Sequence, residues 1–418
     1  MERLVIVGGN RLEGELRVSG AKNAVLPLIA ATLLTRKPCV LEGVPDLRDV
    51  AVMMEVASFL GAEVKKEGES LYIHPAGAAS REILPPLMRR LRASNLVMGP
   101  LLGRWHYFKV AYPGGCAIGS RPMDLHLKGF VAMGASIVEK QGFIEAKASR
   151  LRGADILLDF PSVGATENIM MAAVLAEGVT LIRNAAREPE IVDLQNFLNK
   201  LGARIQGAGQ DVIRVEGVKE LTGASHRVIP DRIEAGTYLA AVAGTKGKVF
   251  LRGARYDHMA AVIAKLREMG ARVEEDPAGI RLEAEGRLKA VDCRTLPYPG
   301  FPTDMQPQIM ALMTTAKGTS ILCESIFENR FRHAAELKRM GADVKIEGKI
   351  AVINGVSKLS GAVVEATDLR AGAALVVAGL MAEGVTYVEG VHHLDRGYER
   401  MESKFQSLGA QLTREREG

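Results

Sequence analysis

A chain of 418 residues is too long for one hydrophobic core and predicts two or three domains of about 100–200 residues. Its 47% apolar and 25% charged content is typical of globular proteins, and a net charge of +5 with 5% aromatic residues argues against nucleic-acid binding. No apolar run approaches the roughly 18 residues of a membrane span, and the amino-terminal run is too short for a signal peptide. We therefore expect a cytoplasmic protein without membrane insertion.

The cysteines exclude two further classes of protein. They are too scattered to predict a zinc site or a disulfide framework, and they are Cys39, Cys116, Cys293 and Cys323.

One phrase, Leu-Gly-Ala or Met-Gly-Ala, recurs six times along the chain. Its glycines are spaced 68 to 73 residues apart and are Gly61, Gly134, Gly202, Gly270, Gly341 and Gly409. Such a regular period indicates an architecture of six repeated units.

The first copy shows the elements of each repeat. Residues 50–60 keep the spacing of an amphipathic helix, and Gly61 is suited to end that helix in the left-handed conformation. Two short strands are predicted at 62–65 and 71–74, on either side of a polar turn. Helices and strands in a fixed order predict a mixed α/β unit.

Each repeat also contains an earlier helix that is apolar nearly all round, which is typical of a buried helix. These helices are predicted to begin near residues 21–23, 91–94, 162–165, 232–236, 302–304 and 369–372. Their polar residues gather at the amino ends and are Lys22, Asn23, Arg92, Ser94, Ser162, Thr166, Asp231, Arg232, Asp304 and Arg370.

Helix amino ends favour anions, and a basic residue there is disfavoured by roughly 0.3–1 kcal/mol. The basic residues therefore indicate a phosphate or carboxylate site. Ser162 and Asp304 could instead be ordinary N-caps. Six repeats divide most simply into two domains of three, with a boundary near 229–231. We expect the amino ends to face the space between the domains, a common place for ligands.

The segment 114–126 contains three glycines around Cys116, with Arg121 five residues further on. A partly exposed thiol near a cation is typical of a reactive cysteine. A free cysteine is also often no more than a small buried apolar residue. The residues alone leave both interpretations open.

Several longer motifs carry a resemblance to a known family. They lie at residues 19–24, 113–119, 121–126, 187–190, 230–234, 301–307, 328–331 and 395–399. Together they resemble the UDP-N-acetylglucosamine 1-carboxyvinyltransferases over essentially the whole chain. Ser120 and Met123 stand where that family is expected to have Ala and Val.

The resemblance implies a fold of two inverted α/β barrels, each a pseudo-threefold set of βαβαββ units, with the active site in the cleft between them. It implies a first domain at 20–229, which carries the Cys116 loop. The second domain is 230–418, completed by residues 1–19 crossing over from the other end of the chain.

The implied reaction transfers the enolpyruvyl group of phosphoenolpyruvate to the 3-hydroxyl of UDP-N-acetylglucosamine, with release of phosphate. It proceeds by addition and elimination through a tetrahedral ketal. This is the first committed step of peptidoglycan synthesis, so the family serves cell wall biogenesis, cell shape and cell division. No metal, organic cofactor or obligate protein partner is implied, and the partners are the two small-molecule substrates.

The resemblance assigns residues to the chemistry. Cys116 matches the general acid toward C3 of phosphoenolpyruvate, which the epoxide fosfomycin is expected to alkylate, and the sequence leaves open whether the thiol or the thiolate acts. Asp304 matches the general base or orienting acceptor at the sugar hydroxyl, and Lys22 and Arg396 complete the catalytic set. The phosphoenolpyruvate contacts are expected at Lys22, Asn23, Arg121, Arg370 and Arg396.

Most of the expected UDP-N-acetylglucosamine contacts lie at the helix starts or in the Cys116 loop. They are Asn23, Arg92, Arg121, Pro122, Met123, Asp124, Leu125, Ser162, Val163, Gly164, Asp304 and Ile326. The supporting residues are Asp49, Glu188, Asp231, Arg232 and Arg330. His126 could be a proton relay or a packed histidine.

Two other functions remain open from the sequence. The first is a transferase like 5-enolpyruvylshikimate-3-phosphate synthase, which shares the fold and the enolpyruvyl donor. The second is a non-catalytic sugar-nucleotide sensor. The Cys116 loop and residues 121–125 favour the sugar nucleotide as acceptor.

Overall fold

A computed structural model describes residues 2–78, 80–83, 92–112 and 123–416, with only the backbone at 92–94. The described residues form two compact units. The amino-terminal unit contains residues 20–112 and 123–229, and the carboxy-terminal unit contains residues 2–19 and 230–416.

The α-helices of the described chain are seven to thirteen residues long. In chain order they are α1 (Lys22–Thr32), α2 (Arg48–Phe59), α3 (Met98–Trp105), α4 (Asp124–Ala132), α5 (Val163–Ala173), α6 (Pro189–Lys200), α7 (Arg232–Gly244), α8 (Ala260–Glu268), α9 (Gln306–Met313), α10 (His333–Arg339), α11 (Leu369–Met381) and α12 (Met401–Ser407).

The strands are short, with two to six residues each. They are β1 (Glu2–Val7), β2 (Glu13–Arg17), β3 (Cys39–Glu42), β4 (Glu63–Glu67), β5 (Ser70–His74), β6 (Glu82–Ile83), β7 (Tyr107–Ala111), β8 (Ser136–Lys140), β9 (Phe143–Lys147), β10 (Asp155–Leu157), β11 (Val179–Arg183), β12 (Arg204–Gln206), β13 (Val212–Glu216), β14 (Ser225–Arg227), β15 (Lys248–Arg252), β16 (Arg272–Asp276), β17 (Gly279–Glu283), β18 (Cys293–Arg294), β19 (Thr319–Cys323), β20 (Asp343–Glu347), β21 (Ile350–Asn354), β22 (Val363–Glu365), β23 (Val385–Glu389) and β24 (Gln411–Arg416).

The described strands form six four-stranded sheets with one plan. In the sheet of β18 to β21, β18 pairs parallel with β19, β19 antiparallel with β21, and β21 antiparallel with β20. The other sheets have the orders β14-β3-β5-β4, β6-β7-β9-β8, β10-β11-β13-β12, β16-β17-β15-β2 and β22-β23-β1-β24. This confirms the expected α/β repeat with a βαβαββ order.

Strands from distant parts of the chain complete three of the sheets. Strand β1 lies between β23 and β24, antiparallel to both, and β2 pairs parallel with β15. In the amino-terminal unit, β14 pairs parallel with β3. None of the six sheets described closes on itself into a barrel, and each remains a separate four-stranded sheet. Four short strands are too few to close a sheet, for which about eight are needed.

The apolar helices form the interior of each unit, as their sequences predict. All eight residues of α9 are buried, and in α11 Met381 alone is not. Helices α9 and α11 pack on each other and on α7, while α3 and α5 pack together in the amino-terminal unit. Among the described helices, none is long and apolar enough to cross a membrane.

The six repeated glycines end helices as predicted. All have a φ between +91° and +105°. The amide of Ala62 donates to the carbonyl of Ala57 at 3.0 Å, and the amide of Ala271 to that of Leu266 at 3.0 Å. This is the Schellman arrangement, in which a left-handed residue lets the chain satisfy the last carbonyls of the helix.

Candidate functional site

Asp304 lies at the centre of an ion cluster in the carboxy-terminal unit. The turn Thr303–Met305 leads into α9 and turns the Asp304 side chain toward two arginines. Its Oδ1 accepts a hydrogen bond from Nη2 of Arg330 at 2.9 Å, and its Oδ2 accepts one from Nη2 of Arg370 at 3.0 Å. The arginine side chains are 3% and 4% exposed, and that of Asp304 is 27% exposed. A partly exposed carboxylate is thus fixed by hydrogen bonds from two buried cations.

Asp304 is not an N-cap, because its side chain caps neither Thr303–Met305 nor α9. Ser162 is an N-cap, since its Oγ accepts from the amide of Ala165 at 3.3 Å. The capping alternative is therefore correct for Ser162 and wrong for Asp304.

Arg370 is a buried cation at the amino end of α11. Burial lowers its pKa, but the Asp304 carboxylate and Tyr398 outweigh burial, and the pKa is raised above its ordinary value. Asp368 caps the same helix and accepts from the amides of Arg370 and Ala371. These two carboxylates offset the unfavourable interaction of a cation with the positive end of the helix dipole.

Glu324 builds the turn beside Asp304. It is 1% exposed, and its Oε1 accepts from the amide of Ile326 and from Oγ1 of Thr295, both at 2.8 Å. Its Oε2 accepts from Oγ1 of Thr303 at 2.9 Å. One buried carboxylate thereby fixes the half-buried Ile326 and the residue that precedes Asp304.

Arg396 is half-buried at the end of the 3-10 helix Val391–Arg396. Its neighbour Asp395 is anchored by Arg414, whose Nη2 and Nη1 donate to the two carboxylate oxygens at 2.6 and 3.1 Å. Buried Asp231 is the N-cap of α7 and accepts from the amides of Ile233 and Glu234 at 2.8 and 2.9 Å.

Arg232 borders a small, solvent-open recess beside α7. The guanidinium carbon of Arg232 lies 5.5 Å from the ring centroid of Tyr298, which also lines the recess. The rest of the lining is mostly apolar and includes Met259 and Pro302.

Lys22 and Asp49 form a buried ion pair in the amino-terminal unit. Lys22 begins α1, Asp49 lies in the first turn of α2, and Nζ is 2.7 Å from Oδ2. Lys22 is 9% and Asp49 is 2% exposed. Asn23 follows in α1 and is half-buried.

His126 is a packed histidine in this structure. It is 5% exposed, and its Nδ1 lies 3.0 Å from Nδ2 of Asn168. The Asn168 amide also bonds the amide of Gly99 at 2.7 Å and the carbonyl of Asn95 at 3.2 Å. A Cβ on Gly164 would lie 3.2 Å from Cε1 of His126, so the start of α5 packs directly on the ring.

The remaining predicted residues are spread over several elements. Met123 is buried just before α4, Asp124 is exposed and Leu125 half-buried. Val163 and Gly164 are half-buried at the start of α5, and Glu188 is half-buried before α6. The expected roles of Cys116, Arg121, Pro122 and the Arg92 side chain fall outside the described residues.

The structure brings Asp304, Arg330 and Arg370 into one cluster, and Lys22 and Asp49 into another. Sequence reasoning missed four buried polar residues around the first cluster: Thr237, Gln308, Glu324 and Tyr398. A signal existed for two of them, because Thr237 and Gln308 are polar positions within helices that are otherwise buried and largely apolar.

Comparison with known proteins gives consistent matches over the whole chain. The family model of EPSP synthase (3-phosphoshikimate 1-carboxyvinyltransferase) matches residues 6–405. UDP-N-acetylglucosamine 1-carboxyvinyltransferase 1 of Carboxydothermus hydrogenoformans is 56% identical over 414 residues, covering 99% of this chain and 98% of the relative. The enzyme of that name from Symbiobacterium thermophilum is 57% identical over 419 residues, covering 99% and 95%.

Solved structures show the same fold. The enolpyruvyl transferase NikO from Streptomyces tendae matches with a TM-score of 0.89 and 25% identity, covering 99% of this chain and 98% of its own. EPSP synthase from Acinetobacter baumannii matches over 100% of both chains with a TM-score of 0.77. At 19% identity, the second match concerns the fold alone.

Proposed function

Since this chain belongs to the EPSP synthase family of carboxyvinyltransferases, we propose that it transfers the enolpyruvyl group of phosphoenolpyruvate to the 3-hydroxyl of UDP-N-acetylglucosamine, releasing phosphate. The observation that carries this function is the 56–57% identity, over nearly the full length, to relatives named for that reaction. The product feeds peptidoglycan synthesis, and we place the reaction in the cytoplasm.

The reaction needs a proton acceptor at the sugar hydroxyl and a proton donor at C3 of phosphoenolpyruvate. The sugar oxygen bonds to C2 while C3 gains a proton. The bond from C2 to the phosphate oxygen then breaks, C3 loses a proton, and the enol ether and phosphate leave. We assign Asp304 to the sugar hydroxyl and Cys116 to C3. Oδ1 and Oδ2 of Asp304 accept from Arg330 and Arg370, and a carboxylate oxygen can accept more than one hydrogen bond.

Lys22, Arg121, Arg370 and Arg396 are the proposed phosphoenolpyruvate contacts, with Asn23 beside them. Hydrogen bonds to charged groups contribute about 1.5–3 kcal/mol each, and a planar guanidinium suits carboxylate and phosphate oxygens. The support is that Lys22 and Arg370 are buried cations already held by carboxylates.

The proposed sugar-nucleotide contacts include the first turn of α5, where amide groups of Val163 and Gly164 can meet the diphosphate. Ile326 is proposed to contact the same substrate, on the turn that Glu324 fixes. The proposal needs no protein partner, because both substrates are small molecules.

Two alternative functions remain, one with a different acceptor and one without any reaction. The family model, which is described as 3-phosphoshikimate 1-carboxyvinyltransferase, favours 3-phosphoshikimate as a second candidate acceptor. A sugar-nucleotide sensor would bind UDP-N-acetylglucosamine without turnover.

Phosphate release separates these functions. We expect release from phosphoenolpyruvate with UDP-N-acetylglucosamine and none with 3-phosphoshikimate; the reverse result would assign the second acceptor. Binding of UDP-N-acetylglucosamine in calorimetry without any release would identify a sensor. Cys116→Ser should sharply reduce turnover while this binding persists. Cys323→Ser, which changes a half-buried thiol at the end of β19, is the matched control and should retain full turnover.

A further inference from the structure

The hydroxyl of Tyr398 is a meeting point of three buried side chains in the carboxy-terminal unit. Tyr398 is 2% exposed and lies two residues after Arg396. Its Oη is 2.9 Å from Oγ1 of Thr237, 3.2 Å from Nη1 of Arg370 and 3.3 Å from Nε2 of Gln308. The three partners come from α7, α11 and α9, so one oxygen joins the interior helices of the unit.

The directions of these bonds can be assigned from the available hydrogens. The Thr237 hydroxyl donates its single hydrogen to the carbonyl of Ile233 at 2.8 Å. It must therefore accept from the Tyr398 hydroxyl. The Tyr398 oxygen in turn accepts from Nη1 of Arg370 and Nε2 of Gln308, because both nitrogens can act only as donors. A directed chain of bonds thus runs from Arg370 through Tyr398 and Thr237 to the backbone of α7.

This chain fixes the plane of the Arg370 guanidinium. Nη2 donates to Asp304 and Nη1 donates to Tyr398, so the two ends of a rigid planar group are each held. The guanidinium carbon also lies 5.5 Å from the centroid of the Tyr398 ring. Burial raises the pKa of Tyr398, so the hydroxyl keeps the hydrogen that the chain requires.

The backbone of Tyr398 holds the segment that carries Arg396. The amides of Gly397 and Tyr398 donate to the carbonyl of Leu394 at 3.0 and 2.9 Å, which closes a turn around Arg396. The Asp395 bonds to Arg414 anchor the other side of the turn. Both arginines are therefore tied to one residue, Arg370 by its side chain and Arg396 by its main chain.

We propose that Tyr398 is a positioning residue that orients Arg370 and Arg396 as one anion-binding pair for phosphoenolpyruvate. This inference rests on the proposed function and adds to it a residue that acts through the arginines. The hydroxyl is occupied by protein partners and has no free position for the substrate.

The test is Tyr398→Phe, which keeps the ring and removes the acceptor of the Arg370 bond. Losing a hydrogen bond to a charged group predicts a rise of about tenfold in KM for phosphoenolpyruvate. KM for UDP-N-acetylglucosamine should stay within about twofold, because Asp304 keeps its bonds to Arg330 and to Nη2 of Arg370 in this variant. Tyr387→Phe, on β23, is the matched control and should leave both constants unchanged.

The outcomes distinguish the inference from the proposed function. Wild-type protein that releases no phosphate would refute the proposed function. Active wild type with an unchanged KM for phosphoenolpyruvate in Tyr398→Phe would overturn the positioning role, as would a fall in kcat with both KM values unchanged. If Tyr398→Phe does not fold, Thr237→Val and Thr237→Ser replace it. We expect Val to raise this KM and Ser to restore it, and equal values for the two variants would overturn the role.

Discussion

Buried cations at helix starts are each balanced by a carboxylate from another element. Lys22 of α1 pairs with Asp49 of α2, and Arg370 of α11 pairs with Asp304, which precedes α9. An unpaired cation there would be disfavoured both by the positive end of the helix dipole and by its burial away from water. The carboxylates offset both penalties, so the protein itself holds these cations in place.

Removing the Asp304 carboxylate should destabilise the protein as well as slow the reaction. Asp304→Ala leaves Arg330 and Arg370 buried without this partner. Breaking a fully buried pair costs about 3–5 kcal/mol, and because Asp304 is 27% exposed we expect roughly 2–3 kcal/mol. Asp304→Asn should lose less, since an amide oxygen still accepts one bond. Urea unfolding of the two variants and the wild type measures these losses.

The matched control for Asp304→Ala is Glu383→Ala, which removes an exposed carboxylate 2.6 Å from Lys358. Exposed pairs contribute little, so its unfolding should match that of the wild type. Equal unfolding free energies for Asp304→Ala and Glu383→Ala would show that the Asp304 cluster does not stabilise the fold.

Residue type and position pointed to Asp304 and Arg370 from the sequence, but not to their partnership. The two residues are 66 positions apart and meet only because α9 packs on α11. The same limit applies to Tyr398, whose bonds reach three helices. The local capping alternative for Asp304 was wrong because the residue lies in a 3-10 turn that directs its side chain to the arginines.

Helices and their ends were predicted from the sequence where local backbone conformation determines the structure. The Leu-Gly-Ala and Met-Gly-Ala phrases predicted the left-handed helix ends, since only glycine adopts that conformation without a steric penalty. The buried helices followed from their continuous apolar residues. The two-residue strands β6 and β18 could not be predicted, because they exist only through their pairing with β7 and β19.

Two of the repeated glycines provide a matched test at this scale. Gly61 and Gly202 both have a φ of +101°, but a Cβ on Gly202 meets nothing within 4 Å. A Cβ on Gly61 would lie 2.7 Å from the carbonyl oxygen of Gly77. Gly202→Ala should therefore cost only the left-handed strain of about 1–2 kcal/mol. Gly61→Ala should cost about 1–3 kcal/mol more, because the backbone of residues 77–78 must move.

Denaturant unfolding of the two glycine variants measures this difference. Each variant is the control for the other, since helix end, φ and substitution are the same. Equal losses would mean that the contact with Gly77 relaxes without cost and that conformational strain alone governs both sites.

At the scale of the molecule, the regular spacing of the Leu-Gly-Ala and Met-Gly-Ala phrases predicted six repeats, but it could not predict which strands pair in each sheet. Strand β1 pairs with β23 and β24 near the other end of the chain, and β2 pairs with β15 in the second half of the chain. Such pairings depend on the path of the backbone between repeats and leave no local pattern. Residues 2–7 are therefore part of a sheet core, with Leu4 and Ile6 fully buried.

Glu167 in the amino-terminal unit and His333 in the carboxy-terminal unit are among the buried ionisable groups that favour their neutral form. In the amino-terminal unit, burial raises the pKa of Glu167 well above its usual value, and the neighbouring Glu190 and Glu188 add to the effect. In the carboxy-terminal unit, burial lowers the pKa of His333 to about 4, with Arg330 contributing and Asp368 opposing. Unfolding releases both groups to their ordinary pKa values, so the two act on stability in opposite pH ranges.

The signs follow from proton binding. Between pH 6.5 and about 4 the unfolded chain binds a proton at His333 that the folded chain does not, so this group makes stability fall with falling pH. Above pH 4.5 the folded chain retains a proton at Glu167 that the unfolded chain releases. Glu167 therefore makes stability fall with rising pH, by about 1.4 kcal/mol per pH unit until its folded-state pKa is reached.

Replacing Glu167 with Gln should remove this second dependence. The variant keeps the side-chain size without an ionisable proton, so its free energy of unfolding relative to wild type should increase from about pH 5 to about pH 8. Urea unfolding at both pH values measures the change, and any constant cost of the amide cancels in the difference. Glu139→Gln, at an exposed position of β8, is the control and should show no such trend. A Glu167→Gln effect equal at both pH values would mean that Glu167 titrates alike in the folded and unfolded chains, and the alkaline loss of stability would then need another source.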